Sequence, residues 1–271
     1  MNNRGWMIIL SLLMLVFSVS AGIAEETVTG TPAEPAAAKL LRFISSFDAP
    51  PFVYTEAGRK VGFEVDLGEA IGAALGRPVE WIQRPFNIPS LASELRAGRA
   101  DAVLAALTAT EGREQYFLFT IPYYLTSLAV ATHRDVDWEP TAFRNGLSRA
   151  VRVGVLRRTT AEEWAQRHLQ ATRVTFDSPA RLARALDNRE VGLILVDEPI
   201  LRWELAKRHY KFKVVEEGID SQVYAIAVSL SHPELVEELN RALRKLEKDG
   251  VYQEIYRKWY DATGRLPEIG K

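Results

Sequence analysis

At 271 residues, 47% of them hydrophobic, the chain can bury one large core or two modest ones, which excludes a disordered class. A formal net charge of -1 lacks the basic excess that phosphate binding needs, so no nucleic-acid partner is expected. The complete lack of cysteine excludes a disulfide framework and a lipid-anchored N-terminal cysteine.

In chain order, Asn2, Asn3 and Arg4 precede a mostly apolar run from Trp6 to Val19, followed by the small residues Ala21, Gly22 and Ala24. That order predicts a secretory signal peptide over residues 1–24, cleaved after Ala21 or Ala24. The apolar run is short for a spanning helix, which needs about 20 residues, and an uncleaved anchor is the alternative. Residues 25–39, rich in Thr, Ala, Pro and Glu, read as a flexible leader. An exported, cysteine-free chain fits a periplasmic location.

From Leu40 the pattern is regular. It predicts strand Leu41–Ser45, helix Glu64–Leu75, strand Val79–Gln83, helix Leu91–Ala97 and strand Ala102–Leu107. The alternation repeats with strand Val151–Leu156, helix Ala161–Leu169, strand Arg173–Phe176, helix Pro179–Asp187, strand Val191–Val196 and helix Pro199–His209. Continuous apolar strands interleaved with helices imply an α/β fold of two lobes, each a mainly parallel sheet covered by helices. Ser127–His133 and Tyr224–Val228 are apolar strand-like runs placed to act as two hinge crossovers. The expected division is 40–128 plus 225–263 for lobe 1, 129–224 for lobe 2 and 264–271 for a C-terminal tail. Helices Pro233–Asp249 and Val251–Tyr260 must then pack back on lobe 1.

The densest chemical signal is Leu107-Thr-Ala-Thr-Glu-Gly-Arg113. A strand should give way to a helix there, with Thr110 as a hydroxyl cap, and N–H groups at a helix start favour an anion. The planar fork of Arg113 matches a carboxylate. In isolation the same pattern describes a solvated turn in which Arg113 balances Glu111 or Glu114. Its context matters: Arg113 and Thr108 follow one strand, Thr159 and Thr160 follow another, and Asp197 closes a third. Ligands of doubly wound sheets sit beyond such strand ends. Asp197 can cap the helix that follows it, or face the cleft and receive an ammonium group. An α-amino acid carries both charges. Thr108 can add a hydroxyl to the carboxylate, Thr160 can close over it from the far lobe, and Thr159 reads as a cap. His133, His168, His209 and His232 lack close metal-ligand spacing, and no G-x-S-x-G elbow or Walker loop occurs, so no metal, cofactor or catalytic group is expected.

Seven stretches together resemble one family: Asp48-Ala-Pro-Pro-Phe52, Val61-Gly-Phe-Glu-Val-Asp-Leu67, Leu95-Arg-Ala-Gly-Arg-Ala-Asp101, the run ending Pro122-Tyr-Tyr124, Thr159-Thr160, Val196-Asp197, and Asp249-Gly-Val-Tyr-Gln-Glu-Ile-Tyr-Arg-Lys-Trp259. From about Leu40 to Tyr260 the chain is similar to the periplasmic solute-binding proteins of ABC-type polar amino-acid transporters, extracellular solute-binding family 3. The resemblance implies a type II periplasmic-binding-protein fold and a monomer that delivers its ligand to an ABC permease in the inner membrane. It assigns the α-carboxylate to Arg113, Thr108 and Thr160, the α-ammonium to Asp197, and a backbone contact to Ala106. Two departures stand out. Ala49 and Ile88 occupy positions where the family often places rings, leaving Phe47, Phe52 or Phe86 as substitutes or as ordinary core. Arg158 replaces a usual glycine, and either selects an acidic side chain or points to solvent. The rival functions are a cyclohexadienyl or arogenate dehydratase on the same scaffold, with Glu198 or Asp197 as the acid, and a sensory module for a membrane partner.

Overall fold

The computed structural model describes residues 39–139, 143, 147–206 and 210–260. The expected signal peptide, nearly all of the leader, the C-terminal tail and the last residues of the Pro199–His209 helix lie outside the described residues.

The first lobe opens with β1 (Leu41–Ser45), β2 (Asp48–Ala49), β3 (Val53–Glu56), β4 (Arg59–Val61), α1 (Phe63–Leu75), β5 (Val79–Gln83), α2 (Ile88–Arg96), β6 (Ala102–Val103), α3 (Glu111–Glu114) and β7 (Phe117–Phe119). Turn chemistry sets the limits of these elements. Gly62 precedes α1 at φ 137°, and a Cβ there would come 2.0 Å from the Phe52 carbonyl oxygen, so only glycine admits this entry to the helix. Gly76 ends α1 in the left-handed conformation. The Asn87 side chain accepts from Ser90 N at 3.0 Å, and with Pro89 in the first turn it starts α2 earlier than Leu91.

The second lobe contains β8 (Tyr124–His133), β9 (Arg152–Leu156), α4 (Thr160–His168), β10 (Thr172–Phe176), α5 (Pro179–Asp187), β11 (Leu193–Asp197), α6 (Glu198–Ala206) and β12 (Phe212–Tyr224). The chain then returns through β13 (Ala227–Ser229) to α7 (Pro233–Lys248) and α8 (Val251–Tyr260). Sheet order is β5-β1-β6-β13-β7 in the first lobe and β10-β9-β11-β8-β12 in the second. Each sheet is mixed. Three adjacent strands run parallel, β5-β1-β6 and β10-β9-β11, while β13 and β8 join them antiparallel because they arrive from the opposite lobe.

Two expected strands are shorter than their apolar runs. The run Ala102–Leu107 stays in the ladder only through Leu104, whose N–H reaches the Ile44 carbonyl at 3.0 Å. At Ala106 the backbone turns to φ 47°, and its N–H goes to Glu64 Oε1 at 2.7 Å instead of to a neighbouring strand. The run Tyr224–Val228 is divided between β12 and β13. Ala225 N donates to the Leu107 carbonyl at 3.1 Å and Ile226 N to Thr120 Oγ1 at 3.0 Å, which takes both out of a continuous ladder.

The crossovers lie side by side. β12 pairs antiparallel with β8 from Phe212 opposite His133 to Tyr224 opposite Tyr124, with register shifts between. The C-terminal helices pack on the first lobe: Tyr252 Oη donates to the Tyr123 carbonyl at 2.6 Å, Asn240 accepts from Ile121 N at 2.8 Å, and Trp259 Nε1 donates to Asp66 at 2.6 Å. A ring cluster of Phe52, Phe63, Tyr124, Tyr224, Tyr256 and Tyr260 fills the space beneath the crossovers.

Candidate functional site

The cleft between the lobes holds about 550 Å³ of space not filled by protein atoms, open solvent included. From the first lobe it is lined by Ser46, Asp48, Ala49, Phe86, Ala105 and Ala106, and from the second by Leu156, Arg157, Thr159, Phe176, Asp177, Pro179, Asp197 and Ile200, with Tyr224 of the crossover between them.

Arg113 sits on α3 behind the Phe86 ring, its guanidinium 5.8 Å from the ring centroid. Only 5% of it is exposed. Nη1 donates to the Thr108 carbonyl at 2.8 Å, whereas Nε is buried without a hydrogen-bond partner among the described residues. Burial lowers the guanidinium pKa, against which Glu163 and then Asp197 act. With only four residues, α3 adds little from its own N-terminus, and Thr110 makes no side-chain cap to it. The helix start therefore offers no anion site of its own, and the guanidinium is the one anion-binding group of this turn.

Asp197 is the last residue of β11, opposite Leu128 of β8, so the strand delivers its carboxylate to the cleft rather than to a helix cap. Its Oδ1 is buried without a partner among the described residues, and so is the hydroxyl of Tyr224. Burial raises the Asp197 carboxyl; Tyr224 and, less strongly, Arg113 draw it back down. Tyr224 is thus near enough to act electrostatically without meeting hydrogen-bond geometry. Among the described residues no ion pair joins Arg113 to Asp197. Each of the two charges keeps at least one buried polar atom unmet, which is a costly condition.

Thr108 and Thr160 are buried and converge on one atom, Gln222 Oε1, at 3.1 and 2.8 Å. Thr159 caps α4 through Glu162 N at 3.4 Å and donates to the Leu156 carbonyl at 2.8 Å. Ala106 reaches the cleft because Glu64 holds its turn. The Glu64 carboxylate, fully buried, accepts from Ala106 N and from the Tyr123 hydroxyl.

The aromatic candidates separate. Phe86 lines the cleft, whereas Phe47 and Phe52 are core rings. Phe47 stands edge-on to Trp81 with the Lys60 ammonium 4.9 Å from its centroid, and Phe52 packs between Tyr124 and Tyr224. Arg158 is exposed and does not line the cleft. Its backbone takes φ 64°, the left-handed region, where glycine is the residue with least strain. The arginine on the wall is Arg157, and it is committed to Asp177, Nε to Oδ1 at 2.9 Å. Sequence reading gave no role to Arg157, Asp48, Tyr224, Phe176 or Gln222. Asp48 stood inside a quoted motif, while Gln222 belongs to none.

Two α/β lobes joined by paired crossover strands, with a cleft between them that carries Asp48, Arg157 and Asp197 on its walls, define a two-lobed binding protein of the periplasmic type; Arg113, Thr108 and Thr160 are buried and do not line that cleft. The chain belongs to the bacterial extracellular solute-binding proteins, family 3, whose model matches residues 41–262. It is 29% identical over 217 residues to the arginine-binding periplasmic protein of Mannheimia haemolytica, covering 78% of this chain and 86% of that one. An ancestral arginine-binding protein solved with bound glutamine is similar at 28% identity and a TM-score of 0.73, covering 82% of this chain and 98% of the other. An ancestral amino acid-binding protein described as a precursor of cyclohexadienyl dehydratase is similar at 25% identity and a TM-score of 0.75, with 82% and 95% covered.

Proposed function

We propose that the protein is an exported receptor that closes on an α-amino acid with a cationic side chain and presents it to an ABC permease. The observation that carries this reading is a pair of orphaned buried atoms on opposite lobes, Asp197 Oδ1 on the cleft wall and Arg113 Nε, whose guanidinium lies against the Phe86 ring that lines the cleft. A ligand ammonium meets the first and a ligand carboxylate the second, so closure is favoured by contacts that only the closed form makes.

The remaining cleft charges support a cationic side chain. Asp177 is already neutralised by Arg157 and Arg181. Asp48 lines the mouth with no ion pair among the described residues, and desolvation raises its carboxyl despite its contact with solvent. After Arg113 and Asp197 take the zwitterion, Asp48 is the charge left over. Relatives named for arginine binding agree with this balance. A receptor rather than an enzyme is proposed because Glu198, one of the two candidate acids, is engaged by Arg202 at 2.7 Å and Ser127 at 3.3 Å. An acid facing a bound ammonium also stays ionised. The apolar run from Trp6 to Val19 with the small residues that follow it, and the relatives' periplasmic naming, support export.

A thermal-shift screen tests the reading. At about 100 times its dissociation constant a ligand adds roughly 2.7 kcal/mol, or about 5–10 °C for a chain of this size. L-arginine or L-lysine should produce the largest shift and L-glutamate none. No shift with any amino acid would remove the receptor assignment, and turnover of prephenate or arogenate would replace it with the dehydratase.

A further inference from the structure

Gln222 lies inside the paired crossovers, in β12 opposite Thr126 of β8, and is buried. Its Oε1 accepts hydroxyls from both lobes, Thr108 Oγ1 at 3.1 Å from the first and Thr160 Oγ1 at 2.8 Å from the second. Its Nε2 donates to Asp220 Oδ2 at 2.8 Å. That carboxylate only accepts, which fixes the orientation of the amide and keeps Oε1 toward the threonines. An amide oxygen and a carboxylate oxygen offer a hydroxyl the same kind of acceptor. The carbonyl of the same Thr108 anchors Arg113 Nη1. The Gln222 oxygen thus sits on two of the groups, Thr108 and Thr160, that the family resemblance assigns with Arg113 to a ligand carboxylate.

We propose that Gln222 is an internal surrogate for the ligand carboxylate: it latches the two lobes through Thr108 and Thr160, and an amino acid binds by displacing its amide from those hydroxyls. Gln222 therefore sets affinity without being a simple contact. The latched form is not competent to bind, so the apparent dissociation constant is weakened by the fraction of molecules that it holds. The latch joins the two lobes of the free protein and stands apart from ligand identity, although its effect on affinity rests on the amino-acid-receptor reading.

The test compares the parent protein with Gln222→Met, which keeps length and volume but loses the acceptor, and with Gln222→Glu, which keeps an acceptor but replaces the donation to Asp220 with a second carboxylate. Small-angle scattering of the ligand-free proteins reads the latch directly. A larger radius of gyration for Gln222→Met than for the parent is expected. Calorimetric titration with L-arginine, L-lysine and L-glutamine reads the competition. Gln222→Met should bind whichever of these the parent binds about tenfold more tightly, and Gln222→Glu at least a hundredfold more weakly. Equal radii for parent and Gln222→Met, or a Gln222→Met that binds as the parent does or more weakly, overturn the proposal. If the parent binds none of the three the receptor reading is at fault, and the scattering comparison still decides the latch. Should Gln222→Met fail to give a native circular-dichroism spectrum, Gln222→Glu decides: its retention of parental affinity overturns the surrogate role.

Discussion

Replacing Glu64 by glutamine should abolish most of the pH dependence that this protein's stability shows between pH 4.5 and 7. The carboxyl is fully buried, and its pKa stands at about 7 against an ordinary 4.5; burial is the main cause, partly offset by the Tyr123 hydroxyl and Ala106 N–H. The folded state therefore holds the proton more tightly than the unfolded state. Between the two values the unfolded chain has lost the proton that the folded one keeps, so stability falls as pH rises, and the loss is complete above about 7. At about 1.4 kcal/mol per pKa unit the whole change amounts to about 3 kcal/mol. Glutamine preserves an acceptor for Ala106 N and Tyr123 Oη but has no proton to lose. Urea unfolding of parent and Glu64→Gln at half-unit intervals from pH 4.5 to 8 measures the difference. Other buried acids, Asp197 among them, contribute to both slopes and cancel in the comparison. Parallel curves for the two proteins would refute the reasoning, since Glu64 would then titrate alike in both states.

Arg113→Met should weaken amino-acid binding at least about 100-fold by calorimetry, because charge-assisted bonds contribute about 1.5–3 kcal/mol each, while the ligand-free melting temperature does not fall. In the free protein the desolvation of this buried guanidinium, with Nε unpartnered, offsets its one hydrogen bond to the Thr108 carbonyl. Asp48→Asn should weaken L-arginine binding about fivefold and leave L-glutamine unchanged, a ratio read in one competition titration. Gly62→Ala should destabilise the fold by more than about 2 kcal/mol in urea unfolding, since its Cβ meets backbone at 2.0 Å in a conformation that side chains rarely adopt.

Periodicity and capping made most of the elements legible. The run Val79–Gln83 and the helix Pro179–Asp187 fall where the pattern puts them, because apolar spacing and Ser178 as a cap are local properties. The strand ends at Ala106 and Tyr224 were not legible: each chain break depends on a partner far away in sequence, Glu64 for one and Leu107 for the other. The same distinction divides the aromatics. Phe47, Phe52 and Phe86 share a residue type and a region, and only packing against Trp81, Tyr224 and Arg113 separates core from cleft.

By itself the sequence determined two α/β repeats, the crossovers and the charged candidates at strand ends, because helix and strand periods and residue chemistry are written within a few neighbouring positions. Only the tertiary structure decided that Arg113 and Asp197 are both buried and unmet, that Arg157 rather than Arg158 faces the cleft, and that Gln222 unites two threonines. Those facts depend on burial and on contacts between residues as far as 114 positions apart, which no local pattern encodes.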